Sequence, residues 1–117
     1  MTEPIVEIRD YTIDAEQFAA YKDWANRLAA PGLRANLDVI DFWMDDGIPA
    51  EVTGSSPEVS SNGQPNVCWI IRWPDKETRD EGMAGLGTNE EWTKIWSQHP
   101  CPDAYLQMNA RFMRAAS

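Results

Sequence analysis

Apolar and polar positions alternate loosely from Pro4 to Tyr11, where Ile5, Val6 and Ile8 interleave with Glu7, Arg9 and Asp10, and this predicts a first strand. Asp14 then stands as an N-cap with Gln17 at the capping-box position. Phe18, Tyr21, Ala25 and Leu28 recur at helical spacing with Trp24 beside them, so one apolar face of a helix is expected, stopped or kinked at Pro31-Gly32. Leu37 to Asp45 reads as a second strand, with Leu37, Val39, Asp41, Trp43 and Asp45 on one side and Asp38, Ile40, Phe42, Met44 and Asp46 on the other. Residues 47–66, punctuated by Gly, Pro, Ser and Asn, predict one long loop inserted before the third strand. Val67 to Trp73 is almost continuously apolar and reads as a central strand, with Val67, Trp69, Ile71 and Trp73 facing one way and Cys68, Ile70 and Arg72 the other. Pro74-Asp75 opens a second helical region that carries Met83 and Leu86. Thr88 and Glu91 form a capping box that restarts it with Trp92, Ile95 and Trp96. Ala104 to Met113 alternates as a last strand, Leu106, Met108, Ala110 and Phe112 opposing Tyr105, Gln107, Asn109 and Arg111.

The order β-α-β-β-α-β, with its second helix split, is the ferredoxin-like signature of an α+β fold: an antiparallel sheet with helices on one face. A single domain spanning residues 1–117 is expected. Helices cover one face of such a sheet, yet here both faces carry large apolar residues. A second copy of the same sheet is the simplest cover, so the patterning predicts a homodimer.

Composition narrows the partners. The chain of 117 residues has 10 Lys and Arg against 19 Asp and Glu, a net charge of −9. Such a surface repels phosphate backbones and anionic lipid, so neither nucleic acid nor membrane is an expected partner. Its opening residues lack the basic region of a signal peptide, and a cytoplasmic location is expected. Cys68 lies in an apolar run and Cys101 between two prolines, which is no disulfide framework. One His excludes metal sites built on two. The absence of glycine-rich phosphate loops and of Cys-x-x-Cys disfavours nucleotide cofactors and structural zinc, so no cofactor and no metal is expected.

Ile5-Val6-Glu7-Ile8-Arg9-Asp10-Tyr11-Thr12 resembles the opening strand of the NIPSNAP family. Trp69 to Trp73, the Asp75–Arg79 helix start and Thr88-Asn89-Glu90-Glu91-Trp92 resemble its later strand and helix. Asp41 to Gly47 is similar to a Trp-x-Asp-Asp segment in neighbouring small bacterial proteins. Both groups belong to the dimeric α/β-barrel superfamily, so the resemblance implies two ferredoxin-like subunits packed sheet on sheet. It also implies, in many members, a ligand pocket between the sheet and its own helices. That superfamily hosts cofactor-free quinol monooxygenases, polyketide cyclases, lactone isomerases, haem-degrading enzymes and chlorite dismutases, and a fold does not choose among them.

Several residues are candidates for chemistry. His99 is the one side chain that ordinarily titrates near neutrality, and would serve as general acid or base, or else stabilise the C-terminal end of its helix. Asp41, if buried, would have a raised pKa suited to proton transfer, or would pair with Arg9, Arg72 or Arg111. Arg72, the lone charge on the central strand, would hold an anionic group or satisfy a neighbouring carboxylate. Trp24, Trp43, Trp69 and Trp73 would wall an aromatic pocket, with Tyr11, Tyr21 and Asn109 as its polar groups; otherwise the tryptophans fill the core and the dimer seam. The expected function is a small homodimeric enzyme acting on an apolar, aromatic or polycyclic metabolite, by cofactor-independent monooxygenation or by cyclase- or isomerase-type acid–base chemistry. Its alternatives are a non-catalytic binding or accessory protein, and a haem-binding or haem-degrading protein with His99 as axial ligand.

Overall fold

The computed structural model describes residues 3–116. Four strands, β1 (Ile5–Ile13), β2 (Val39–Met44), β3 (Val67–Trp73) and β4 (Tyr105–Met113), form one antiparallel sheet in the order β2-β3-β1-β4. Between β1 and β2 run a 3-10 turn (Ala15–Gln17), α1 (Phe18–Trp24), a π-helical turn (Ala25–Ala29) and α2 (Ala30–Asn36). Between β3 and β4 lie α3 (Lys76–Leu86) and α4 (Glu90–Ser97), so the split second helix is present and the fold is ferredoxin-like α+β.

Pro31 does not stop the first helix. Proline lacks an N–H and its ring crowds the carbonyl four residues back. The turn before it widens instead, Ala30 N–H reaching Ala25 O, and the helix runs on to Asn36. The helix starts also differ in detail. Asp14 accepts from Glu16 N at 3.1 Å and caps the 3-10 turn, so no capping box with Gln17 forms. Asn89, not Thr88, caps α4 by accepting from Trp92 N at 2.9 Å, while the Thr88 hydroxyl donates back to Gly85 O.

The odd positions of β1 and β3 face the helices. Ile5, Tyr11 and Ile13 join Val67, Trp69, Ile71 and Trp73 in one core with Tyr21 and Trp24 of α1, Leu33 of α2, Leu86 of α3 and Ile95 of α4. Gly82 lets α3 lie against this layer: a Cβ there would stand 2.7 Å from Trp73 Cζ3.

Two bulges overturn the side assignments expected for the edge strands. In β2 the register shifts at Ile40, so Val39 pairs with helix-facing Ile71 while Asp41 pairs with outward-facing Ile70 and Trp43 with Cys68. Val39 therefore parts from Asp41 and Trp43. In β4 a shift opposite Thr12 and Ile13 leaves Leu106 as the extra residue and turns Tyr105 to the helix side, away from Gln107, Asn109 and Arg111.

The molecule is a slab of 41 × 37 × 19 Å, about as thick as one sheet with one helix layer. Its outward sheet face carries Val6, Ile8, Cys68, Ile70, Trp43 and Met113, of which Trp43 and Met113 are each 46% exposed. Residues 45–66 carry no helix or strand, and expose Ile48, Val52 and Val59. Asn66 ties the end of this stretch to β1, its amide accepting from Ile13 N at 2.8 Å and donating to Ile13 O at 2.9 Å.

Candidate functional site

Alternation in β1 and β3 sends aromatic rings into the space under the helices, and they leave it incompletely filled. A cavity of about 150 Å³ lies among Arg9, Tyr11, Trp69, Met83, Trp92 and Tyr105. A second void of about 40 Å³ adjoins it, sharing Tyr11, Trp69 and Tyr105 and reaching Tyr21, Trp24 and Phe42. No carboxylate or imidazole lines either space.

The polar groups at this cavity are phenols and one guanidinium. Tyr11 O accepts from Arg9 Nε at 2.8 Å and from Trp69 Nε1 at 3.1 Å. Arg9 Nη1 donates to Glu7 Oε2 at 2.8 Å. Glu7, fully buried, also accepts from Arg79 Nη2 (2.7 Å) and Nε (3.0 Å) and from Trp73 Nε1 (3.0 Å). Burial pushes its carboxyl up, but the hydrogen bonds from Arg79, Arg9 and Trp73 outweigh that and hold it below the usual carboxylate range. Sequence reading missed this cluster. Its signal was an acid and a base two apart on a strand side that is otherwise Ile5, Tyr11 and Ile13, which commits both charges to the interior.

His99 is buried and its ring packs against both Trp24 (centroids 4.0 Å apart) and Trp96 (4.7 Å). Its Nδ1 accepts from Cys101 N at 3.0 Å, which fixes the proton on Nε2, and Nε2 donates to Tyr105 O at 2.9 Å. Burial lowers its pKa, so the neutral ring is the form at pH 7. Tyr21 also hydrogen-bonds to the Tyr105 oxygen, and burial raises the pKa of both phenols. An axial-ligand role for His99 does not fit: both ring nitrogens are engaged, and the adjoining void of about 40 Å³ has no room for a porphyrin. Among the described residues no group of three or more His, Cys, Asp or Glu could hold a metal ion, and both cysteines are free thiols.

The remaining expected site residues part ways. Tyr11, Tyr21, Trp24 and Trp69 meet at the two voids. Trp73 does not; it lines an open groove beside α3. Trp43 and Asn109 lie on the opposite face of the sheet, where their partners are Cys68 and Asp10. Asp41 is not buried and its pKa is not raised: the Phe42 backbone N–H and the Arg34 guanidinium at 2.8 Å hold its carboxyl down. Its partner is thus Arg34 rather than Arg9, Arg72 or Arg111. Arg72 is exposed and 3.9 Å from Asp38. Arg72 thus satisfies a neighbouring carboxylate, one of its two expected roles. Among the described residues no helix is long and apolar enough to cross a membrane.

No family model matches the chain, and no curated protein matches it. Solved structures do. A NIPSNAP-like domain protein from Burkholderia xenovorans superposes with a TM-score of 0.72 at 18% identity, over 100% of this chain and 89% of that one. A NIPSNAP family protein of unknown function from Agrobacterium tumefaciens gives 0.71 at 15% identity, over 98% and 90%. A putative antibiotic biosynthesis monooxygenase from Nitrosomonas europaea gives 0.56 at 6%, over 98% and 92%. With its β2-β3-β1-β4 sheet, its one-sided helix layer and these likenesses along nearly the whole chain, the protein has a NIPSNAP-like fold.

Proposed function

We propose that the chain forms a homodimer through its bare sheet face. Each protomer takes an apolar, aromatic small molecule into the cavity under the helices and acts on it by proton transfer or by cofactor-independent monooxygenation. The observation that carries this reading is the incompletely filled aromatic chamber of about 150 Å³ with two phenols on its wall. Tyr105 meets the substrate, and neutral His99 acts through it as a positioning residue, holding the phenol oxygen from behind. The volume suits one ring rather than a polycyclic system, since a cavity of about 150 Å³ accommodates benzene. Asp41 and Arg72 have no part in this chamber; with Trp43 they belong to the face offered to the second copy. The resemblance of the fold to a putative antibiotic biosynthesis monooxygenase supports oxygen chemistry as one of the two reaction classes.

Oxygen uptake and substrate loss across a panel of single-ring quinols and enolisable ketones test the catalytic part. Tyr105→Phe is expected to lower turnover about a hundredfold. Full turnover in that variant removes Tyr105 from the mechanism. The dimer is tested by light scattering, where a folded species of one 13.2 kDa subunit at micromolar concentration is the refuting result.

A second reading, a binding protein without turnover, is favoured by one observation: no carboxylate or imidazole lines the cavity to serve as a free base. It predicts quenching of tryptophan fluorescence by ligands that the protein leaves unchanged.

A further inference from the structure

The hydrogen-bond inventory at Arg9 and Tyr11 specifies the ligand more narrowly than the shape does. A phenol oxygen has two lone pairs, and at Tyr11 both are taken, by Arg9 Nε and Trp69 Nε1. Its own proton therefore has to be given away, and no described residue accepts it. The Glu7 carboxylate is saturated in the same way, each oxygen receiving two donors. It cannot take the remaining nitrogen of Arg9, Nη2, and no described residue accepts from that nitrogen either. The charges of the cluster balance. Two guanidiniums share one buried carboxylate, and the second of them, Arg79, finds a further partner in Asp80 at 3.1 Å. Arg9 keeps Glu7 as its counter-ion through Nη1 at 2.8 Å, and its side chain, 14% exposed, lines the cavity beside Tyr11 with Nη2 uncommitted. This is a donor-bearing spot with one guanidinium on its wall.

We propose that the cavity is a site for a single aromatic ring bearing an ionised oxygen, a phenolate or a carboxylate. Tyr11 O–H and Arg9 Nη2 donate to that oxygen while Trp69 and Trp92 enclose the ring. This deepens the reading of the cavity given above and rests on it. A charge-assisted pair of donors on an otherwise apolar wall favours the anion over its neutral isostere. The class excluded is the uncharged hydrocarbon ring, which leaves two donors without an acceptor.

Equilibrium dialysis with 4-nitrophenol and nitrobenzene separates the two claims. The wild-type protein is expected to bind 4-nitrophenolate at least tenfold more tightly than nitrobenzene, and the absorbance of bound 4-nitrophenol is expected to titrate about one pH unit below that of the free compound. Tyr11→Phe and Arg9→Met should each lose most of this preference and leave nitrobenzene binding within about twofold of wild type. Equal binding of both probes with an unshifted titration overturns the oxyanion site and spares the aromatic cavity. Binding of neither probe overturns both. A preference that survives both substitutions also overturns it. Should Arg9→Met fail to fold for want of its ion pair, the wild-type titration decides alone.

Discussion

The two faces of the sheet treat the same residue types in opposite ways. On the helix side, Glu7 is sealed from water and receives four hydrogen bonds from Arg9, Arg79 and Trp73. Three residues along the same strand, on the bare side, Asp10 holds a single half-exposed arginine, Arg111, at 3.2 Å. Tryptophans divide likewise. The indole N–H groups of Trp24, Trp69 and Trp73 each find a protein acceptor, at Ile95 O, Tyr11 O and Glu7 Oε1. Trp43, on the bare side, has no such partner among the described residues, nor do Trp92 and Trp96 of α4, which are not buried. Where water is excluded every polar atom must be matched inside the chain, and that requirement built the network that now borders the cavity. Where water is admitted, the chain has left the matching to solvent.

Unequal penalties for breaking the two acids give the strongest test of this contrast. Glu7→Ala leaves two arginines facing a buried gap and is expected to cost about 3–5 kcal/mol in urea unfolding. Asp10→Ala, on the bare side, should cost less than about 1 kcal/mol. Similar losses at the two positions would erase the distinction. Packing gives the next effect. Gly82→Ala drives a methyl into Trp73 and should destabilise by about 1–3 kcal/mol, whereas Gly85→Ala, with open space around its Cβ, should stabilise by up to about 1 kcal/mol.

Acid should act through the covered side. Both His99 and Glu7 have folded-state pKa values below their ordinary 6.5 and 4.5. A group depressed on folding contributes stability above its unfolded value and loses it as pH falls through the folded one. Thermal melting should therefore decline first on acidification below 6.5, from His99, and again below 4.5, from Glu7. His99→Gln should flatten the first decline; an unchanged profile would show that His99 is not the group responsible. The smallest effect is expected at Trp43→Ser, within about 0.5 kcal/mol for the isolated protomer, with weakened self-association as its visible consequence in sedimentation.

Much of this architecture was legible because two periods are strong in the chain. Val67, Trp69, Ile71 and Trp73 against Cys68, Ile70 and Arg72 separated the faces of β3 correctly, since the bulge in its pairing with β2 lies in β2 and β3 itself keeps its alternation. The split between α3 and α4 was legible from its polar turn. What failed was whatever depended on register between strands. Alternation within β2 could not announce that Ile40 is a bulge, and so Trp43 was grouped with Trp69 across a sheet that separates them. The same happened in β4, where Tyr105 crosses to the site because Leu106 is extra. Glu7 went unnoticed for another reason: a polar residue in an alternating strand reads as solvent-facing unless its neighbours two positions away are weighed with it.

The widened turn at Ala25–Ala29 holds one residue more than a regular helix needs. It therefore works as a phase adjuster. Excising a single residue there would restore the ordinary pitch and leave what lies beyond it nearly in phase, because the wide turn already absorbs the extra residue. Leu33, which touches both voids, would keep its bearing on the ring space, as would Tyr21 and Trp24 upstream. The helix can thus change length by one residue at this turn without redirecting the side chains that wall the chamber.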